Sequence, residues 1–149
     1  MKPKKVIPPL YFFVLLVVSI GLGVYLPVVN VVGSPYRYLG FAPIGLGIVL
    51  NLWADSQFKK NKTTVKPHET PSSLMKSGAF SVSRNPMYLG MVLILLGVSI
   101  CAGSVTAFIS PIVFFLVSEY RFIPLEESVM ESVFGKAYLE YKRRVRRWL

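Results

Sequence analysis

A stretch of 20 residues, 10–29, contains no charged side chain and is mostly apolar. An α-helix rises ~1.5 Å per residue, so this stretch is long enough to cross the ~30 Å hydrocarbon core of a bilayer. Three lysines precede it, as in a signal peptide. The stretch is nevertheless too long for a signal h-region, and no small-residue cleavage site follows it, so we expect a retained membrane anchor.

Three more apolar segments follow this anchor. They predict membrane spans at residues 38–58, 86–101 and 105–123, and with residues 10–29 the predicted spans number four. The second span contains small residues and a proline that permit close helix contacts and a bend, namely Gly40, Pro43, Gly45 and Gly47. Only Ala102-Gly103-Ser104 separate the last two spans, which predicts a tight helical hairpin. The predicted fold class is therefore all-α, a polytopic membrane protein with four transmembrane helices in a single domain, residues 1–149.

The positive charges predict the orientation of this bundle. Of the 17 Lys and Arg residues, only Arg37 lies in the loop between the first two spans, and the hairpin turn has none. With four crossings, the other 16 lie together on one side, in the N-terminus, the middle loop and the tail. Lys and Arg accumulate in cytoplasmic loops, so we expect an integral membrane protein with both termini in the cytoplasm.

Composition also argues against several classes of function. The formal net charge is +10, but too few residues lie outside the spans to build a soluble basic face, so we expect no nucleic-acid partner. Cys101 is the only cysteine, which excludes an internal disulfide and a cysteine-based metal cluster. His68 is the only histidine, and its loop-like segment is more typical of a solvated side chain than of a catalytic one. We expect no metal site.

The tail after the fourth span reads PLEESVMESVFGKAYLEYKRRVRRWL, residues 124–149. Pro124 suits the first position of a helix, and Glu126 and Glu127 fall in its first turn, where the helix dipole favours carboxylates. Gly135 interrupts the pattern, and an apolar stripe then continues to Trp148 between many basic residues. The sequence predicts a C-terminal amphipathic cytoplasmic helix. One interpretation is that this helix lies on anionic lipid.

A second interpretation starts from the paired carboxylates, which an anionic membrane would repel. The middle loop also contains an amphipathic segment, SSLMKSGAFSVSRNPMYLG, residues 72–90, which ends in polar groups at the mouth of a span. Two such segments on the same side, residues 63–88 and 124–149, can close over the ends of the spans. They would then form a polar, ligand-sized pocket beside the lipid.

Two motifs in these segments resemble a known family. The first is R-(H/N)-P-x-Y-x-G, which here reads Arg84-Asn85-Pro86-Met87-Tyr88-Leu89-Gly90. The second is E-E…F-G-x-x-Y-x-x-Y-(x)3-V, which here runs from Glu126 to Val145. Together, on either side of a hairpin and over residues 63–149, they resemble the integral-membrane methyltransferases of the isoprenylcysteine carboxyl methyltransferase and phospholipid methyltransferase family. The first two spans match only as generic helices.

The resemblance implies S-adenosylmethionine as the methyl donor, covered by the tail, and a lipophilic acceptor that arrives sideways from the membrane lipids. Carried over position by position, it implies cofactor contacts at Ser72, Ser73, Leu74, Met75, Phe80, Asn85, Pro86, Met87, Tyr88 and Glu126.

The chemistry of these residues is compatible with that role. Asn85 can donate and accept hydrogen bonds, Glu126 can bind an ammonium or ribose hydroxyls, and Tyr88 offers an aromatic face to a sulfonium. Other roles stay open at several positions. Arg84 can pair with Glu126, Glu127 or a lipid phosphate, Tyr88 can be an aromatic of the membrane interface, and Phe80, Leu74 and Met75 can simply pack.

The acceptor is less constrained. An arginine of the prenylcysteine branch matches Phe122 here, with Arg121 one step away, and Asn85 replaces a histidine. Both departures weaken a prenylcysteine carboxylate as the acceptor, and a lipid amine or another small hydrophobic molecule stays open. Glu119, at the end of the fourth span, is a candidate base, and Arg121 a candidate acceptor contact; a salt bridge between the two is the alternative.

The sequence is therefore compatible with three functions. The first is a membrane S-adenosylmethionine-dependent methyltransferase. The second is an NADPH-dependent membrane reductase, since some membrane sterol reductases resemble this fold near the C-terminus. The third is a non-enzymatic membrane protein with a basic lipid-binding tail. The sequence leaves the oligomeric state undetermined.

Overall fold

The structure, a computed structural model, describes residues 7–61 and 73–149, and over these ranges it is predominantly helical. Its α-helices are α1 (Pro8–Tyr25), α2 (Phe41–Lys60), α3 (Ala79–Val82), α4 (Pro86–Ala102), α5 (Ile109–Val117), α6 (Ile123–Phe134) and α7 (Lys136–Arg144). Single 3-10 turns precede α2 and α5, at Tyr36–Gly40 and Val105–Phe108, and a π-helical turn, Ser118–Phe122, joins α5 to α6.

Three helical segments are long and apolar enough to cross a membrane, namely Pro8–Tyr25, Tyr36–Lys60 and Val105–Phe134. The fourth predicted span, Pro86–Ala102, is apolar but has only 17 residues. The all-α membrane fold is therefore confirmed with three to four spanning helices. The outward faces agree with this, because large apolar side chains such as Phe13 and Val17 are more than half exposed.

Successive long helices alternate in direction, so the bundle has two ends, which we call the Tyr88 end and the Gly103 end. At the Gly103 end, the Thr106 hydroxyl donates to the Leu26 carbonyl at 2.9 Å, which fixes the end of α1 against the hairpin. Gly103 ends α4 with a φ of 73°, a left-handed conformation that glycine adopts without steric cost. The tight hairpin is as predicted.

Paired glycines set the contact between α2 and α4. A Cβ added at Gly47 would collide with the Gly90 carbonyl, and one added at Gly40 would collide with the Gly97 carbonyl. The two pairs are seven residues apart on each helix, close to two helical turns, so the backbones touch along a continuous stripe. By contrast, Gly45 faces open space.

The other side of α4 packs against α1 and α5. The core there contains Phe12, Leu95, Phe114 and Ile123, and it reaches Tyr88 at the opposite end from Gly103. Deeper in the bundle, the hydroxyls of Ser19 and Ser99 both donate to the carbonyl of Ala107. These hydrogen bonds satisfy polar groups that would otherwise be costly to bury.

The C-terminal boundary of the predicted C-terminal helix, residues 124–149, is wrong. The predicted start agrees with the structure to within one residue, because α6 begins at Ile123 with Pro124 in its first turn, and the π-helical turn joins α5 to α6 without a break. At its other end, α7 stops at Arg144, and residues 145–149 are not helical. The physical reason is that carbonyls of these last residues accept hydrogen bonds from the segment before α4. The break at Gly135 is present, with a φ of 49°.

Candidate functional site

The C-terminal strap, which we define as residues 145–149, lies across the segment that precedes α4. The Arg84 amide donates to the Arg146 carbonyl at 3.0 Å. The Arg147 carbonyl accepts from the Ser83 hydroxyl at 3.2 Å and from Asn85 Nδ2 at 3.1 Å. Both predicted segments therefore meet at the Tyr88 end, and the Asn85 amide is used to fix the strap.

Glu127 is the centre of a buried charge cluster beneath the strap. Its side chain is only 8% exposed, as is that of Arg84, whose Nη1 lies 2.9 Å from Glu127 Oε1. That contact is an ion pair without hydrogen-bond geometry, and Nη1 makes no hydrogen bond within residues 7–61 and 73–149. Arg147 donates to the same carboxylate through Nη2 at 2.9 Å and Nε at 3.2 Å. Lys142 adds a third cation at 3.3 Å.

Glu119 is tied into the same cluster. It accepts from Arg147 Nη1 and, at 2.8 Å, from Trp148 Nε1. Arg147 thus bridges Glu119 and Glu127. The structure places the second predicted catalytic candidate, Arg121, on the same π-helical turn with its side chain exposed.

Glu126, next to Glu127, has a different environment. Its Oε1 accepts a 2.7 Å hydrogen bond from the Tyr88 hydroxyl, and no cation in the described ranges forms an ion pair with it. The Tyr88 ring is stacked against Phe122, with centroids 6.3 Å apart. The π-helical turn and the first turn of α4 therefore bring Tyr88 and Glu126 together, as the family resemblance implies.

Helix α7 is docked on the short α3 by one strong hydrogen bond. The Tyr141 hydroxyl donates to the Phe80 carbonyl at 2.6 Å, and both residues are buried. Burial raises the pKa of the Tyr141 phenol above its ordinary value of 10.0, so the hydroxyl stays protonated and continues to donate. Burial, followed by the charge of Glu127, also raises the pKa of Tyr138, which lies one turn earlier.

Several predicted cofactor contacts are packing residues in the structure. Met75 and Phe80 belong to a small buried cluster with Ala54 and Ala79, and Met87 packs against that cluster. Pro86 is buried as the first residue of α4, and Leu74 is half-buried. The Ser73 hydroxyl is buried and has no hydrogen-bond partner among the residues that the structure describes. Ser72 and His68 lie outside the described residues.

The donor set of this site fits an amino-acid zwitterion such as the one S-adenosylmethionine carries. Arg84 Nε is buried and has no hydrogen-bond acceptor within the described ranges, so it can receive a carboxylate. Glu126 has a carboxylate oxygen that Tyr88 does not use, so it can receive an ammonium. A buried donor without an acceptor, such as Arg84 Nε, is costly unless a ligand completes it.

The cavity next to α7 does not include these groups. Its volume is about 120 Å³ and it is lined by Lys76, Glu140, Tyr141, Arg144 and Val145, with neither Arg84 nor Glu126 among its lining residues. Sites for ligands of cofactor size usually measure ~300–1,000 Å³, so this cavity by itself is too small for S-adenosylmethionine.

Sequence reasoning missed the residues that close the site. Arg147 and Trp148 were predicted to lie on a basic amphipathic helix, whereas they contact Glu119 and Glu127. Arg147 lies 20 residues from Glu127 and reaches it only because the chain reverses at Gly135. For Arg84, the sequence left several partners open, and the structure selects Glu127.

Comparison with known proteins adds independent information. A family model described as phospholipid methyltransferase matches residues 35–137. The chain is also 44% identical over 63 residues to an uncharacterized protein of Haemophilus influenzae (strain ATCC 51907 / DSM 11121 / KW20 / Rd). That alignment covers 42% of this chain and 100% of the relative.

Proposed function

Because the chain belongs to the phospholipid methyltransferase family, we propose that it transfers a methyl group from S-adenosylmethionine to a lipophilic acceptor held in the membrane. The observation that best supports this proposal is the hydrogen bond that pairs Tyr88 with Glu126, whose sequence neighbour Glu127 contacts the buried Arg84. Arg84, Tyr88 and Glu126 lie in the two motifs of the family, and their free hydrogen-bonding capacity matches a zwitterionic ligand.

Each residue has a distinct role in this proposal. Arg84 binds the carboxylate of the cofactor, and Glu126 binds its ammonium, with Tyr88 fixing the orientation of the Glu126 carboxyl group. Asn85 and Ser83 position the strap through the Arg147 carbonyl. S-adenosylmethionine, when bound, supplies a methyl group on a sulfonium, which is reactive without a metal.

The protein contributes mainly alignment and the exclusion of water. Positioning two reactants correctly can supply up to ~7–11 kcal/mol of the barrier. The strap and α7 are suited to this, because they cover the Tyr88 end through hydrogen bonds to backbone carbonyls and through the charge cluster. The acceptor approaches from the bilayer, where the spanning helices expose apolar side chains.

An acceptor amine would have to lose a proton during the reaction. Glu119 already accepts hydrogen bonds from Arg147 and Trp148, which leaves it less capacity to take that proton. Glu126 accepts one hydrogen bond and forms no ion pair within the described ranges. In this proposal, however, the cofactor ammonium uses the Glu126 oxygen that Tyr88 leaves free, so an amine acceptor would have to release its proton to water, whereas a carboxylate acceptor would release none.

The orientation is part of the proposal. Arg84, Lys142 and Arg147 lie at the Tyr88 end, and Arg37 lies toward the Gly103 end, where it donates to the Val32 carbonyl. The positive-inside rule then places the site and both termini in the cytoplasm, where S-adenosylmethionine is available. Labelling of single cysteines introduced at each end of a Cys101→Ser variant, from outside intact cells, tests this arrangement.

Calorimetric titration of the purified protein tests the reaction class. We expect saturable binding of S-adenosylhomocysteine and no binding of NADPH. Binding of NADPH alone would replace the proposal with the reductase, and binding of neither would favour a non-enzymatic role. Lipid analysis of cells with and without the protein, after labelling with methyl-labelled methionine, then identifies the acceptor.

A further inference from the structure

Exposed tyrosine and tryptophan side chains form a belt at each end of the helical bundle. The belt at the Gly103 end consists of Tyr25, Tyr36 and Tyr38. The belt at the Tyr88 end consists of Tyr11, Trp53 and Tyr120. Tyrosine and tryptophan concentrate at the two interfaces of a bilayer, because the ring contacts hydrocarbon while the polar atom reaches water. The two belts therefore mark where the hydrocarbon core of the membrane begins and ends.

Contacts place the second belt at the Tyr88 end. The Tyr11 ring contacts the Phe122 ring, with centroids 5.3 Å apart, and Tyr120 belongs to the same π-helical turn as Phe122. Trp53 is next to Ala54, which packs against the short α3 before α4. The tyrosines of the first belt lie at the other ends of the same two helices, α1 and α2, so each of these helices connects both belts.

The distance between the belts is short. Tyr11 and Tyr25 lie on one α-helix, whose rise of ~1.5 Å per residue separates them by ~21 Å. Tyr38 and Trp53 are ~24 Å apart by the same measure, with the 3-10 turn included. Tilting of a helix only reduces its height along the bilayer normal, so both values are upper limits. A typical hydrocarbon core of ~30 Å is therefore thicker than the distance between the belts.

The surface between the belts is suited to hydrocarbon, and charges begin directly outside it. Residues 11–25 and 38–53 contain no charged side chain. Arg37 immediately precedes the second of these stretches, and the ion pair of Asp55 with Lys59 follows it. A core of ~30 Å would draw one or both of these charged groups into hydrocarbon, which is costly.

We propose that the protein binds preferentially to a bilayer whose hydrocarbon core is no thicker than ~24 Å, and that it thins a thicker bilayer around itself. The interacting surface is the apolar band between the two belts, and its partner is phospholipid with short acyl chains. Each ångström of mismatch has a modest cost, and several ångströms together produce a measurable preference among lipids. This inference does not depend on the proposed methyl transfer.

The same geometry sets the depth of the candidate site in the membrane. Glu119 directly precedes Tyr120, so the charge cluster lies at the level of the belt at the Tyr88 end. The Glu119 side chain is 22% exposed and forms an ion pair with Arg147. In a thin bilayer this cluster is level with the polar head groups, whereas a thicker bilayer would surround it with hydrocarbon.

The tryptophans of the chain report on the lipids beside it. Trp53 is 43% exposed within a belt, and Trp148 is the only other tryptophan. The full chain is reconstituted in mixtures of dibrominated dioleoylphosphatidylcholine, which quenches tryptophan fluorescence, and one unbrominated phosphatidylcholine. The unbrominated lipid is dimyristoleoyl, dipalmitoleoyl, dioleoyl or dierucoyl phosphatidylcholine, so the head group is constant and the chain length changes. The recovery of fluorescence gives the relative binding of each lipid.

We expect the strongest binding for the dimyristoleoyl or dipalmitoleoyl lipid, about threefold stronger than for the dierucoyl lipid. Strongest binding of the dioleoyl or dierucoyl lipid, or equal binding of all four, would overturn the proposal. The wild type alone decides between these outcomes.

Leucine substitutions test whether the belts set the preference. The variant Tyr25→Leu/Tyr36→Leu/Tyr38→Leu removes the belt at the Gly103 end and keeps both tryptophans, and its preference for short chains should fall to less than about half of that of the wild type. The control, Phe13→Leu/Phe41→Leu, removes exposed aromatic rings that lie between the belts and should keep the full preference. Circular dichroism checks that both variants retain their helices. A folded tyrosine variant with the wild-type preference would show that the belt does not set the membrane thickness.

Discussion

Glu126 and Glu127 are adjacent carboxylates with different expected roles: Glu127 stabilises the fold, and Glu126 binds the ligand. Neutralising each in turn therefore measures the two effects separately. Glu127→Gln keeps the shape of the side chain but removes the charge that faces Arg84, Arg147 and Lys142. Glu126→Gln removes a charge whose hydrogen-bond partner in the described part of the chain is the Tyr88 hydroxyl. The two substitutions are chemically identical and one residue apart, so each is the control for the other.

The expected losses in the free energy of unfolding follow from how deeply each charge is buried. Arg84 and Glu127 are each 8% exposed, whereas Arg147 and Lys142 are 29% and 35% exposed, so the Arg84 pair is screened least by water. Loss of one partner of a buried ion pair costs ~3–5 kcal/mol, because the other charge stays buried. Glutamine retains an oxygen that can accept a hydrogen bond, so we expect a value near the lower limit, ~3 kcal/mol. For Glu126→Gln, the amide oxygen still accepts from Tyr88, and we expect ~1 kcal/mol or less.

Thermal unfolding in detergent measures the loss of stability in Glu127→Gln. At this chain length, ~3 kcal/mol corresponds to a decrease of roughly 6–12 °C in Tm for Glu127→Gln. Calorimetry with S-adenosylhomocysteine measures the second effect, and we expect about tenfold weaker binding for Glu126→Gln, equivalent to ~1.4 kcal/mol. If both variants unfold at the same temperature, the charge cluster does not stabilise the fold as argued. If Glu126→Gln binds the analogue like the wild type, Glu126 does not bind the ammonium.

Three further predictions concern the packing and the docking of α7. Gly47→Leu should prevent the contact of α2 with Gly90 and lower Tm by several degrees, whereas Gly45→Leu, which adds its side chain to open space, should leave Tm unchanged. Tyr141→Phe removes the hydrogen bond to the buried Phe80 carbonyl and should cost ~1–3 kcal/mol in thermal unfolding. Because burial raises the pKa of Tyr141, its contribution to stability is full below pH 10, the ordinary pKa, and is lost as pH rises toward the folded value. The alkaline decrease in Tm should therefore be shallower in Tyr141→Phe than in the wild type, and parallel curves would contradict this reasoning.

The parts of the fold that depend on local pattern were predicted well. Apolar length alone located the long helices, and the turn at Gly103 followed from the shortness of the connection. The family resemblance implied that Tyr88 and Glu126 share a site, and the structure joins them with a 2.7 Å hydrogen bond. Each of these features depends on residues close in sequence or on a motif of the family that the chain resembles.

The features that were missed depend on long-range contacts. The amphipathic spacing of residues 138–148 is equally typical of a continuing helix, so the end of α7 at Arg144 could not be read from it. The strap is not helical because the Arg146 and Arg147 carbonyls accept from Arg84 and Ser83, more than 60 residues away. Helix propensity carries no information about such partners, and tertiary hydrogen bonds override it.

The π-helical turn, Ser118–Phe122, explains why two adjacent carboxylates have such different partners. In a regular α-helix, the residue seven positions after Glu119 lies within about 20° of it, whereas the residue eight positions after lies about 80° away. On that basis Glu126 would share the face of Glu119, and Arg147 would bridge those two. A π-helical turn accommodates one extra residue, which shifts the register of everything that follows. Glu127 then takes the position that faces Arg147, which contacts both Glu119 and Glu127. Glu126 is turned toward Tyr88 and forms no ion pair with any cation of residues 7–61 and 73–149. The irregular turn therefore creates the unpaired carboxyl group on which the proposed cofactor site depends.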